Sequence, residues 1–235
     1  MKICIIPARG GSKRIPRKNI KEFCGKPMIA YSIEAAIKSG CFDRIIVSTD
    51  DQEIAEVSRK YGVETPFIRP EEISDDYTGT TAVIAHAIEW LQQHGEAPEQ
   101  VCCIYATAPF ISYNDIMIGQ QILEDTGCDY AFSVTSYAFP IQRAISISKN
   151  KRVEMLQPEY LSVRSQDLKD AYHDAGQFYW GKAESWLSGK PIFSPEAAPI
   201  ILPRYRVQDI DTPEDWERAE LMLKVLQREG MDNEQ

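Results

Sequence analysis

Apolar residues along this chain follow two alternating rhythms: short β-branched runs, and longer stretches with apolar positions three and four apart. Residues 2–6 read as a buried strand. Ile29, Ile33, Ala36 and Ile37 then recur at helical spacing, in a helix that Pro27 opens at its first position and Gly40 closes. Residues 44–48 give a second strand, 51–61 a helix backed by Gly62, and 64–68 a weaker strand bounded by Pro70. A helix over 80–94, a strand over 101–105, a helix over 114–125 and a strand over 129–135 follow. This order predicts an α/β fold whose mostly parallel sheet has helices on both faces. In such sheets ligands lie beyond the carboxyl ends of the strands.

After Thr135 the alternation stops. Residues 136–175 mix turn residues, aromatics and short extended pieces, which suggests an inserted lobe within a single domain of 235 residues. Regular order resumes around 177–180. The last helix, 212–229, has Thr212 as its cap and Pro213 at its first position, with Glu214 and Asp215 favouring its N-terminal dipole. The tail from Met231 is polar, and no internal repeat or low-complexity segment is present.

Composition adds a ceiling on partners. A net charge of −9 argues against a nucleic-acid coat or an anionic-membrane binder. No apolar run approaches the roughly 20 residues that span a bilayer. Six scattered cysteines, without C-x-x-C spacing, fit a reduced cytoplasmic protein. The charge is uneven, however. Between Arg9 and Lys26 seven basic residues face one acid, so this window is +6 and the remainder −15. An acidic chain that gathers cations in one loop, directly after its first strand, is aiming them at a small anion.

That loop runs Pro7-Ala8-Arg9-Gly10-Gly11-Ser12-Lys13-Arg14-Ile15-Pro16-Arg17-Lys18-Asn19. Gly10 and Gly11 let backbone N–H groups curl around phosphate oxygens, and Ser12 adds a hydroxyl. Arg9, Lys13 and Lys18 can neutralise phosphate charge. The spacing is neither the Walker pattern nor G-x-G-x-x-G. Far downstream, Asp209 and Asp211 alternate around Ile210, so in extended chain both carboxylates share one side. Taken alone, the pair admits two roles: a divalent-cation site, or an exposed Asp209 beside a residue that caps the last helix. Asp50 is expected to cap the helix that follows it.

Residues 6–13, with Pro16-Arg17-Lys18-Asn19, resemble the signature of the CMP-sialic acid synthetase family of nonulosonic acid cytidylyltransferases. The likeness continues through Gly25-Lys26-Pro27, residues 47–50, Arg69-Pro70, residues 74–81 and residues 209–212, and so covers nearly the whole chain. It implies a Rossmann-like nucleotidyltransferase fold, with the inserted lobe serving dimerisation in a homodimer. It also implies that the anomeric hydroxyl of an acidic nine-carbon sugar attacks the α-phosphorus of CTP, with Mg²⁺ on Asp209 and Asp211. Catalytic roles then fall to Arg9, Lys18 and Asp211, and nucleotide contacts to Ala8, Arg9, Gly10, Gly11, Ser12, Lys13, Asn19, Arg69 and Thr80. Acceptor contacts fall to Tyr105, where relatives carry Gln, and to Arg164 and Gln166 of an Arg-x-Gln-Asp segment. Acceptor contacts also fall to His173, Asp174 and Gln177, in a run that departs from the Asn-Gly-Ala run of sialic acid enzymes and that the branch taking pseudaminic acid fits better. Legionaminic, sialic and octulosonic acids remain alternative substrates, and no residue stands out as a general base.

Overall fold

The computed structural model describes residues 1–228; Glu229 and the polar tail lie outside the described residues. In chain order the strands are β1 (Lys2–Pro7), β2 (Glu22–Phe23), β3 (Lys26–Pro27), β4 (Arg44–Ser48), β5 (Gln100–Ile104), β6 (Tyr130–Ser136), β7 (Ile145–Ile147), β8 (Val153–Met155), β9 (Tyr172–Lys182) and β10 (Ala197–Leu202). The helices are α1 (Met28–Ser39), α2 (Gln52–Lys60), α3 (Thr80–Gln93), α4 (Tyr113–Thr126), α5 (Ala183–Leu187) and α6 (Pro213–Arg228). None among the described residues is long and apolar enough to cross a membrane.

Six strands form one sheet in the order β10-β6-β9-β5-β1-β4. All neighbouring pairs are parallel except those made by β9, which runs against β5 and β6. The four middle residues of β1 are buried, as a strand covered on both faces requires. Ile29, Ile33 and Ala36 of α1 pack on one face with Ile54 of α2 and with Ile116 and Leu123 of α4. Ile84, Ile88 and Leu91 of α3 cover the other face with Trp186 of α5. The expected mostly parallel sheet with helices on both faces is therefore present.

A third cluster fixes the functional edge. Trp216, Ala219, Leu223 and Leu226 of α6 pack with Phe23, Met28 and Phe110, and they enclose Ile15 of the basic loop and Ile210. Helix α6 starts where the sequence places it. The Thr212 hydroxyl accepts from the Asp215 amide at 3.2 Å, and the Asp215 carboxylate accepts from the Thr212 amide at 2.8 Å. This reciprocal arrangement satisfies two donors that a helix start would otherwise leave open.

Several expectations need correction. Residues 64–68 do not form a strand: Glu64 alone bridges to Ile46, because Pro66 lacks the amide that would continue the ladder. Pro27 caps α1 rather than opening it, while Gly40 closes it at φ 63° as expected. Asp50 does not cap α2; Asp51 does, accepting from the Ile54 amide at 3.0 Å. Strand β9 begins at Tyr172, five residues before regular order was expected, and α5 and β10 were not foreseen. Between β6 and β9 the chain leaves the sheet, forming the β7–β8 hairpin and short 3-10 turns.

Gly119 on α4 tests how tightly this face packs. A Cβ there would lie 2.8 Å from the Phe178 ring and 2.9 Å from Trp180, and both rings are fully buried. Helix propensity alone makes alanine better by about 1 kcal/mol. Overpacking costs about 1–3 kcal/mol and reverses that sign. Gly119→Ala should therefore lower the urea midpoint in equilibrium unfolding; a raised midpoint would show that this face is loose.

Candidate active site

Strand β1 crosses to β4 on one side, whereas β5 lies on its other side, so the chain order switches between β1 and β5. Loops leaving the carboxyl ends of such strands diverge and leave a crevice. A cleft of about 590 Å³ opens there. Its walls include Arg9, Ser12, Lys13, Arg14, Lys18 and Asn19 from the loop after β1, and Tyr105, Ala106 and Thr107 after β5. Arg69, Asp75, Asp76, Thr78, Thr80 and Asp211 complete the polar lining. The structure thus brings together Arg9, Ser12, Lys13, Lys18, Asn19, Arg69, Thr80, Tyr105 and Asp211, which span most of the chain.

The glycine segment differs from the expected open amide cradle. The Ala8 amide donates to Ser48 at 2.9 Å and extends the sheet ladder, with the residue buried. The Gly10 amide donates to the Asp50 carboxylate at 2.9 Å, and the Ser12 amide donates to the Gly10 carbonyl at 3.0 Å. Ala8, Gly10 and Gly11 do not line the cleft, and of the three only Gly11 is exposed. Gly10 is required for a different reason: a Cβ would come within 2.7 Å of Asp51 Oδ2.

Cations in the cleft are matched by carboxylates. Arg9 meets Asp76 at 2.6 Å and the Asp75 carbonyl at 2.7 Å, and Lys13 also pairs with Asp76. Arg14 meets Asp211 at 2.8 Å. Lys18 donates to the Ile210 carbonyl at 2.7 Å and lies 3.5 Å from Asp211. Ion pairs at or near the surface contribute little, so a polyphosphate can exchange for them at small cost. Arg69 is different. Its side chain is 3% exposed, its Nε donates to Ser74 at 3.0 Å, and Asp50 lies 3.6 Å away. Burial pulls its guanidinium below the ordinary arginine value and Asp50 opposes the shift. Asn19 ties the loop to itself by donating to the Arg9 carbonyl at 2.9 Å.

Asp209 and Asp211 flank Ile210, which is 1% exposed, so the alternation expected of extended chain holds for the apolar residue between them. The Asp209 carboxyl is pushed up, first by desolvation and then by repulsion from Asp211, although its surface remains open to solvent. A cation would relieve that repulsion. Among the described residues no cluster of three or more His, Cys, Asp or Glu forms a metal cage. The donor set therefore suits a hard divalent ion that takes its remaining oxygens from phosphate and water.

Further along the cleft wall, the Thr80 hydroxyl and the Tyr105 phenol lie 3.0 Å apart. His173, Asp174 and Gln177 are not on the cleft wall. Asp174 accepts from the Gly176 amide at 2.8 Å and from the Tyr179 phenol, and the His173 ring packs on Tyr137. Gln177 is 3% exposed and donates to the Arg206 carbonyl at 2.6 Å, while the Arg206 guanidinium meets Asp115 at 2.5 Å. All three lie at the start of β9, and the Gln177 Oε1 is buried without a hydrogen-bond partner. Arg164 and Gln166 are not brought to the cleft either: both are exposed in the inserted segment, and Arg164 turns onto Asp167 at 2.7 Å.

A family model described as cytidylyltransferase matches residues 3–227. The chain belongs to the cytidylyltransferase family. It is 48% identical over 223 residues to a pseudaminic acid cytidylyltransferase of Campylobacter jejuni subsp. jejuni serotype O:23/36 (strain 81-176), covering 95% of this chain and 96% of the relative. It is 31% identical over 232 residues to a CMP-N,N'-diacetyllegionaminic acid synthase of Legionella pneumophila subsp. pneumophila, with 96% and 97% covered. A solved CMP:2-keto-3-deoxy-manno-octonic acid synthetase complexed with CTP shares the fold, with a TM-score of 0.70 at 17% identity over 95% of this chain and 98% of that one.

As a member of that family, this cytidylyltransferase is a CTP-dependent nucleotidyltransferase. Sequence reasoning assigned no role to Asp75, Asp76 or Arg14. The one available signal for the first two was an acidic pair just ahead of the threonines that start α3.

Asp209 gives a signed test. Because its carboxyl is raised in the folded state, its charged form is disfavoured there at neutral pH. Asp209→Asn should therefore raise the melting temperature at pH 7 without metal or nucleotide. The gain should vanish as pH falls through the raised value toward the ordinary one near 3.9. A lower melting temperature at pH 7 would mean that the carboxylate is stabilising.

Proposed function

We propose that this cytidylyltransferase joins CMP to pseudaminic acid, converting it and CTP to CMP-pseudaminic acid and diphosphate. The observation that carries the substrate is the 48% identity to a pseudaminic acid cytidylyltransferase across nearly both full lengths, against 31% to a legionaminic acid synthase. The cleft supplies chemistry of the matching kind. Nucleotidyl transfer rests on positioning and charge neutralisation, and five cations line one crevice whose wall includes Asp211, two residues from Asp209.

In this reading Arg9 and Lys18 hold the phosphates near the reacting phosphorus, and Lys13 takes the diphosphate end. The triphosphate displaces Asp76 from Arg9 and Lys13. Asn19, Arg69 and Thr80 keep the nucleotide oriented, and Tyr105 presents its phenol to the acceptor. The acceptor's anomeric hydroxyl attacks the α-phosphorus in line with the leaving diphosphate. Asp209 and Asp211 would hold Mg²⁺, which supplies Lewis-acid polarisation of phosphate oxygens when bound. Six free thiols fit action in the reducing cytoplasm.

A homodimer belongs to the same reading. Residues 137–171 form a lobe that exposes Phe139 (82%) together with Ile147, Val153 and Leu161, an apolar surface suited to a second copy. Arg164 and Gln166, remote from their own cleft, would then face the acceptor side of the partner's.

Three outcomes test the proposal. Mass spectrometry of products from CTP, Mg²⁺ and a panel of nonulosonic acids should show CMP-pseudaminic acid as the preferred product; faster turnover of sialic or legionaminic acid would remove the substrate assignment. Lys18→Ala and Asp211→Ala should each lower kcat by about 10²–10³ while the circular dichroism spectrum is unchanged. Mixing Asp211→Ala with Arg164→Ala subunits should restore part of the lost turnover, since one cleft of each mixed dimer is intact. No recovery in a mixture shown to exchange subunits would confine Arg164 to its own chain.

A further inference from the structure

Arg17 has a φ of +56°, in the left-handed region, although it is not glycine. An ordinary side chain there is disfavoured about tenfold relative to glycine. The turn it makes is used: the Arg17 carbonyl accepts from the Ile20 amide at 3.0 Å and the Lys21 amide at 2.9 Å, and the Lys18 amide donates to Ile15 at 3.2 Å. The direction in which Lys18 leaves the backbone depends on this turn.

The Arg17 side chain does not join the other cations on the cleft wall. It reaches back to α2, donating to both oxygens of Asp51 at 2.5 and 2.8 Å and to Glu53 at 2.5 Å. Asp51 is itself fixed. It caps α2 through the Ile54 amide, and it fills the space that a Cβ on Gly10 would need. One carboxylate thus touches the basic loop at Gly10 and again at Arg17, and anchors both to a helix. The guanidinium holds the Asp51 carboxyl down at about 2, so both charges persist at any ordinary assay pH.

We propose that Arg17 is a positioning residue for nucleotidyl transfer: its clasp on Asp51 holds the left-handed turn that presents Lys18 to the phosphate side of the cleft. The proposal rests on the reading of Lys18 as a phosphate ligand. It assigns the guanidinium a role that binds no substrate and that a change of backbone can replace.

Two substitutions at one position separate backbone from charge. Arg17→Ala removes the clasp and keeps the strain, whereas Arg17→Gly removes both. CTP binding is read by calorimetry without acceptor sugar, alongside kcat and KM. Arg17→Ala should weaken CTP binding about tenfold and lower kcat, while Arg17→Gly stays within about threefold of the parent on each. If Arg17→Ala does not fold, Asp51→Asn, which keeps a helix cap, replaces it. Asp51→Asn should then impair the parent enzyme but add nothing to Arg17→Gly. The proposal is overturned if the alanine and glycine variants behave alike, whether both are impaired or both match the parent, or if Asp51→Asn impairs Arg17→Gly as much as the parent. Lys18→Ala with unchanged CTP binding and turnover would instead overturn the reading of Lys18, and the proposal with it.

Discussion

Burial of two isoleucines is the constraint on which the cleft depends. Ile15 is 2% exposed and Ile210 1%, and both are enclosed by the apolar face of α6 with Phe23, Met28 and Phe110. Each sits inside a short charged segment. Burying such a side chain contributes about 1.5–3 kcal/mol, more than any exposed ion pair nearby. Two segments nearly two hundred residues apart in sequence are therefore brought together by packing, and their charges meet as a consequence. The Lys18 contact with the Ile210 carbonyl is an outcome of that packing, since it could not enforce it alone.

With geometry fixed by apolar contacts, the electrostatics of the cleft can stay weak and exchangeable. Asp76 shields Arg9 and Lys13, and Asp211 shields Arg14 and Lys18. The cations are thereby kept near one another without a bound anion. Arg69 behaves oppositely: buried and bonded, it is a fixed post between Asp50 and Ser74. A family whose reaction begins with a highly charged nucleotide needs both kinds of group, some that change partners and some that do not.

How much of this could be read from the chain depends on how local each determinant is. The α1 to α4 helices, β1, β4, β5 and β6 were legible because each has its own apolar period and punctuation. Strand β10 was not, since Pro199 interrupts a run that an edge strand tolerates and an inner one does not. The early start of β9 was hidden because Tyr172 to Gly176 carries polar residues whose partners lie on β6. Within the site, the basic loop and the Asp209/Asp211 pair announced themselves by charge and alternation. The partner of the Gln177 amide did not: the Arg206 carbonyl that accepts from it lies on a segment 29 residues away. Asp51 takes the capping duty expected of Asp50 because the choice depends on Gly10 and Arg17, more than thirty residues away.

Pro66, which stops a segment expected as a strand, and Pro199, which hid one, also determine what the sheet can do in company. Beyond β4, Pro66 stops the outer segment after one bridge, and at the opposite border Pro199 removes a donor from β10. Neither border offers the long, regular row of amides and carbonyls that another chain's strand would need as a template. Self-association by sheet extension is thus discouraged on both flanks.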